Sequence, residues 1–211
     1  MTASSVERAP VVAESRSELP ERLAKAALIL ARLFGSDEPM NREEAEEALR
    51  LFVELEIAEN AGIIPEPARF ADTWNEEKDG FIGPASALRL EESIYKPWTL
   101  DPSHPLSGQK GHAWGDPAVH MTEVLGGFGL SVDPADRGAP DHLAVILEFL
   151  AFLITNRPAA EVSSFVRDHL DWLGDLRNSA QQRGVGNMIP LLTMIGENLV
   201  RRLTAGSEDL R

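Results

Sequence analysis

The stretch RGAPDHLAVILEFLAFLIT, residues 137–155, decides how the chain folds. From Leu143 to Ile154 it is apolar at nearly every position, with one carboxylate, Glu148, in the run. A helix that is apolar on nearly all sides has neighbours on all sides, so the pattern predicts a central helix from Pro140 to Thr155. The run is too short to cross a bilayer, and Glu148 argues the same way. Pro140 and Asp141 suit a first turn, where a missing N–H costs little and a carboxylate complements the positive helix end. His142, near that end, is disfavoured in its protonated form and is expected to act as a neutral hydrogen-bonding group. Asp141 and Glu148 lie seven residues apart, which is about two helical turns and puts both carboxylates on one face. A carboxylate in a central apolar helix needs a donor, because burying it unpaired is costly. An internal arginine and an open cleft both meet that need.

Working outward, helical periodicity recurs on both sides. Leu19, Leu23, Ala26, Ala27, Ile29, Leu30, Leu33 and Phe34 form one broad stripe, with Gly35 as its stop. Asn41 with Glu44 three residues later reads as a capping box, opening a helix that buries Ala45, Ala48, Leu49, Phe52 and Leu55. A shorter helix is expected over Pro67–Lys78, and another over Asp116–Leu125 that ends at Gly126 and Gly127. One long helix is expected from Pro158 to about Arg183, with Val162, Phe165, Val166, His169, Leu170, Trp172 and Leu173 inward, and a last one from Asn187 to Leu203. Between Asp79 and Asp116 the pattern fails, yet Phe81, Tyr95, Trp98 and Trp114 fall there. Disordered linkers are poor in aromatic residues, so this segment is expected to be ordered and functional. The fold class is therefore an all-α single-domain helical bundle with a long ordered aromatic loop before its central helix. The domain is expected over residues 18–206, with residues 1–17 as a flexible arm or short helix and 207–211 as a tail.

Composition limits what such a bundle does. Asp and Glu number 34 against 20 Lys and Arg, a formal net charge of -14, which disfavours nucleic acid and anionic membranes and favours cationic partners. The absence of cysteine excludes disulfides and thiolate chemistry. The first residues show no basic region followed by an apolar one, so no secretory signal is expected and the place of action is expected to be the cytoplasm.

Catalytic and metal signatures are weak. His104, His112 and His120 recur at equal spacing but do not share a helical face, and no His-Glu-x-x-His is present. The glycine-rich LGGFGLS and RGVGN follow no predicted strand and lack a phosphate-loop ending. No Gly-x-Ser-x-Gly elbow presents a nucleophile. No cofactor and no metal is expected. The enzyme alternative is a small helical metal-binding protein or enzyme using His112, His120, His142 and Glu148.

Three segments carry a resemblance: FIGP (Phe81–Pro84) followed by ESIY (Glu92–Tyr95), then APDHLAVILEFLAFL, then FVRDHLDWL (Phe165–Leu173). In order and spacing the chain resembles the TorD/DmsD/NarJ family of redox-enzyme maturation chaperones. The resemblance implies a non-catalytic cytoplasmic chaperone. Its partners would be the N-terminal leader, often a twin-arginine signal peptide, and the apo catalytic subunit of a molybdopterin oxidoreductase, whose export it delays until cofactor insertion. It also implies Tyr95, Pro140, Asp141 and His142 as peptide-binding positions. Trp98, Trp114 and Asp116 join them on chemical grounds, since aromatics and carboxylates in an ordered loop suit an apolar peptide that contains arginine. On this reading Asp141→Ala weakens peptide binding and leaves thermal unfolding nearly unchanged. A monomer and a domain-exchanged dimer are both compatible with the long loop.

Overall fold

The computed structural model describes residues 18–58, 65–82, 86–133 and 138–205. The expected arm and tail, and Gly83 and Pro84 of the FIGP segment, lie outside the described residues. Among these the elements are α1 (Glu18–Gly35), α2 (Arg42–Glu54), α3 (Pro67–Glu77), α4 (Glu92–Tyr95), α5 (Asp116–Gly127), α6 (Leu143–Asn156), α7 (Ala159–His169), α8 (Leu173–Arg183) and α9 (Met188–Ala205). The all-helical expectation holds.

The run that opened the sequence is the centre. α6 buries Leu143 to Leu147, Phe149 to Ala151, Leu153 and Ile154, leaving Glu148 half-buried on the stripe where Phe152 and Asn156 emerge. Its most extensive helix contact is with α1. On α1, Ala24, Ala27 and Ala31 form a buried small-residue row, of the kind that lets helices pack closely. α9 packs against α8, α7 and α1, and α2 packs on α3 and α1. The capping box at α2 forms as read: Glu44 N–H donates to Asn41 Oδ1, and Asn41 N–H donates to the Glu44 carboxylate.

Two helix expectations need correction. The segment read as one helix from Pro158 to about Arg183 is α7 and α8, broken at Leu170–Trp172. The Trp172 indole N–H donates to the carbonyl of His169 at 2.8 Å, taking the acceptor that a continuous helix would offer to the backbone four residues on. The inward-facing residues were nonetheless the right ones; all seven are buried. The second correction concerns the central helix, which begins at Leu143 rather than Pro140. His142 is its N-cap, and His142 Nδ1 accepts from Ala144 N–H at 3.2 Å, a role that requires an unprotonated nitrogen there.

Pro140 and Asp141 therefore precede α6, and Asp141 serves a different element. Its backbone carbonyl accepts from Glu92 N–H at 3.0 Å, and its carboxylate Oδ2 accepts from Ser93 N–H at 2.8 Å. Leu143 N–H donates to Leu90 O at 2.8 Å, and Glu91 pairs with His142 as an isolated antiparallel bridge. Residues 90–93 and 141–143 thus form a clip that fastens α4 to the start of the central helix. Asp141 is 0% exposed, and its Oδ1 and the Ser93 hydroxyl have no hydrogen-bond partner among the described residues. Burial pushes the Asp141 carboxyl above its ordinary range, against the hydrogen bonding from Ser93 and with the Glu92 charge adding to the effect.

That placement reverses the expected behaviour of Asp141. Asp141→Ala leaves the buried Ser93 N–H without an acceptor and is expected to cost about 1–3 kcal/mol, read as a lower midpoint in denaturant unfolding. A carboxyl raised in the folded state holds its proton more tightly there than in the unfolded chain. Its contribution to stability is therefore full below the ordinary carboxyl range and is lost as pH rises through the raised native value. Asp141→Asn, which has no charge to bury, is expected to show a smaller loss of stability over that rise than the wild type. A second test concerns the entry to α9. The Glu77 carboxylate accepts from Asn187 N–H at 2.8 Å and Met188 N–H at 2.7 Å. Gly186 holds φ +71° against that carboxylate, and a Cβ there would lie 2.2 Å from Glu77 Oε2. Gly186→Ala is expected to destabilise by roughly 2 kcal/mol through φ strain and loss of this cap.

Candidate functional site

The residues from Lys96 to Gly115 form no regular element but are tied to one another. Trp98 N–H donates to Gln109 O at 2.7 Å, Gly108 N–H to Thr99 O at 3.0 Å, and Gly111 N–H to Ile94 O at 2.9 Å. The Trp98 indole donates to Ala113 O at 3.0 Å, and its ring stacks on His104 at 4.7 Å. This satisfies backbone groups that a loop would otherwise leave to solvent, and it gives the loop a definite surface.

Between this loop, α5 and the end of α7 lies a cleft of about 320 Å³, lined by Glu92, Lys96, Pro97, Leu100, Asp116, Pro117, His120, Asp168 and His169. Among the lining groups the Glu92 carboxylate is 1% exposed. Glu92 Oε2 lies 2.8 Å from His169 Nδ1, and Glu92 Oε1 lies 2.9 Å from Lys96 Nζ. Lys96 Nζ also meets Asp171 Oδ1 at 2.7 Å and donates to the Asp168 carbonyl at 2.5 Å. Burial works against the Lys96 ammonium, but its hydrogen bonds to Asp171 and Glu92 outweigh it and hold its pKa above the ordinary value. His169 packs against the rings of His120 at 4.9 Å and Phe165 at 4.8 Å. Leu100, 77% exposed, lines the cleft, and Trp114, two residues before Asp116 on the same loop, and Val119, the residue before His120 on α5, are each 55% exposed.

The three segments that carried the resemblance meet here, and mostly through one another. Glu92 of ESIY pairs with His169 of FVRDHLDWL. Tyr95 stacks on Trp172 of the same two segments at 5.0 Å, and Ser93 is capped by Asp141 of the third. Tyr95 is buried, its hydroxyl donates to Arg89 O at 2.8 Å, and burial pushes that hydroxyl up to about 12.

Of the seven positions proposed from sequence, Asp116 alone lines the cleft. Its N–H donates to Trp98 O at 2.6 Å, so Trp98 fixes the start of α5 without lining the cavity. Trp114 is exposed beside it, with the left-handed φ of +62° that few non-glycine residues adopt. Pro140 and Asp141 are buried and His142 is half-buried. In this conformation they support α4 from behind, and Asp141 presents no carboxylate to the surface. Glu92, Lys96, Leu100, Asp168 and His169 were not proposed as site residues. The signal for Glu92 and His169 was present, since both stand inside the quoted motifs. His112, His120, His142 and Glu148 do not form a metal site: among the described residues no group of three or more His, Cys, Asp or Glu could hold a metal ion. His104 is half-buried against Trp98, and its Nδ1 accepts from Leu106 N–H at 3.1 Å.

Comparison with known proteins agrees with this grouping. Residues 79–184, from before α4 to the end of α8, match the family described as nitrate reductase delta subunit. A chaperone protein TorD from Shewanella pealeana is 30% identical over 114 residues, covering 54% of this chain and 52% of that protein. The chain thus spans about half the length of the curated relative it matches. No solved structure matches. With a family match across half its length that takes in α4, the cleft and the α7–α8 break, the chain belongs to the TorD/NarJ-type chaperone family, a family of chaperones rather than enzymes.

Proposed function

We propose that the chain is a maturation chaperone for a molybdenum-cofactor oxidoreductase. It binds the N-terminal leader of the apo catalytic subunit, a twin-arginine signal peptide, and delays export until the cofactor is in place, acting in the cytoplasm. The observation that carries this reading is the cleft beside α4, which sets carboxylates next to exposed apolar side chains. A leader peptide with paired arginines and an apolar stretch has the complementary surface. Guanidinium groups bond carboxylates and stack on aromatic rings, while the apolar stretch covers Leu100, Trp114 and Val119. The overall charge of -14 favours the encounter. Family membership and the similarity to a protein named as a TorD chaperone support the same class of client. Among the described residues no helix is long and apolar enough to cross a membrane.

Asp141 enters this reading as a positioning residue, and Asp116 as a contact. Calorimetric titration with the leader peptide of a molybdoenzyme is expected to show saturable binding. Asp116→Asn is expected to weaken it by about 2- to 5-fold, the range for one exposed charge pair, with thermal unfolding unchanged. Absence of binding to any such leader, together with unchanged cofactor content of the client when the chaperone is removed, would overturn the proposal.

A further inference from the structure

The cleft already contains a cation. Lys96 Nζ sits among Glu92 Oε1, Asp171 Oδ1 and the Asp168 carbonyl, so each of its three N–H groups has an acceptor. These acceptors come from α4 (Glu92), the last turn of α7 (Asp168) and the α7–α8 break (Asp171). The lysine itself hangs from the residue after α4, where the backbone is extended. Its ammonium can leave by rotation about side-chain bonds alone, with no change in the helices. The surroundings also remain short of positive charge. One ammonium is shared by two carboxylates, those of Glu92 and Asp171, and Asp116, Asp168, His120 and His169 are the other titratable residues that line the cleft.

We propose that Lys96 is a resident stand-in for a guanidinium of the client peptide, and that the oxygens of Glu92, Asp171 and Asp168 are a subsite for an arginine side chain that displaces it. A guanidinium is better matched to this set than an ammonium. It offers five N–H donors in a planar fork, is more weakly hydrated, and can bond a carboxylate with two parallel N–H groups. The freed lysine returns to solvent, where an ammonium is strongly hydrated, so displacement does not strand a charge. His169 stays on Glu92 Oε2 throughout and keeps the carboxylate oriented. The lysine keeps Glu92 Oε1 from standing buried without a partner, and it also competes with every cationic ligand. The inference rests on the peptide-binding reading above and adds to it the subsite and its internal competitor.

The test is a calorimetric titration of the full chain with a leader peptide carrying its two arginines and with the same peptide carrying glutamines in their place. The proteins are the wild type, Lys96→Met and Lys96→Arg. Lys96→Met is expected to bind the arginine peptide about tenfold tighter than the wild type, in line with release of one buried charge pair for the ligand. It should bind the glutamine peptide no tighter. Lys96→Arg, which keeps the charge and fills the subsite with a guanidinium of its own, is expected to bind the arginine peptide more weakly than the wild type. If Lys96→Met does not fold, Lys96→Arg decides by itself. Wild-type binding that is unchanged or weakened in Lys96→Met and unchanged in Lys96→Arg overturns the subsite and leaves the peptide-binding reading standing. Binding of the arginine peptide by none of the three proteins overturns both.

Discussion

A carboxylate with almost no exposure, Glu92, sets the terms for the rest of the structure. An ion of that kind is expensive to bury, and the cost is offset only when its oxygens are met with good geometry. Here each oxygen has one partner, His169 on one side and Lys96 on the other. Those partners come from the same helix turn and from a residue 77 positions along the chain. α4 has four residues, far too short to persist by its own backbone bonding. It exists because Glu92 is tied to α7, Ser93 is capped by Asp141, and Tyr95 is stacked on Trp172. Each tie runs from α4 to an element on the central scaffold, and together they hold the loop against the bundle.

Those ties explain which parts of the fold were legible in the sequence. The capping box of α2 was legible because its two partners are three residues apart and its geometry is local. The central position of α6 was legible because an all-round apolar helix has one kind of environment. The break after His169 was not, since it depends on an indole taking a particular carbonyl, and periodicity carries no record of that choice. The start of α6 was misplaced for a related reason. Pro-Asp is an ordinary first-turn pair, and only the structure shows that Asp141 caps a backbone N–H 48 residues earlier in the chain. Long-range polar ties obey no spacing rule, whereas burial of apolar faces does. The same limit applied to the site. Glu92 and His169 read as family markers, and their mutual contact could not be seen until the chain was folded.

The burial of Asp141 also separates two jobs that the sequence had merged. A carboxylate that caps Ser93 holds α4 in place, and a carboxylate at the mouth of the cleft meets a ligand. In this fold the first job belongs to Asp141, and Asp116 is the carboxylate that lines the cleft. A motif residue can therefore shape the cleft without lining it, because moving α4 would move Glu92 and Lys96 with it.

The mouth of the cleft has its own constraint, at Gly115. A Cβ on this residue would lie 2.4 Å from the Trp98 carbonyl oxygen and 2.9 Å from the Trp98 Cα, distances that the backbone could meet only by moving apart. The close approach is what brings Asp116 N–H within 2.6 Å of that carbonyl, and it joins the returning loop to the first turn of α5. Pro117, Asp116 and His120 then face the cleft from α5 while Pro97 and Leu100 face it from the loop. The missing side chain at Gly115 thus decides the width of the gap between the two walls. The indole of Trp98, bonded to Ala113 O and stacked on His104, ties the loop wall to itself. A loop pinned this way presents a formed surface at the cleft, and a formed surface pays less ordering cost on any association than a mobile one does.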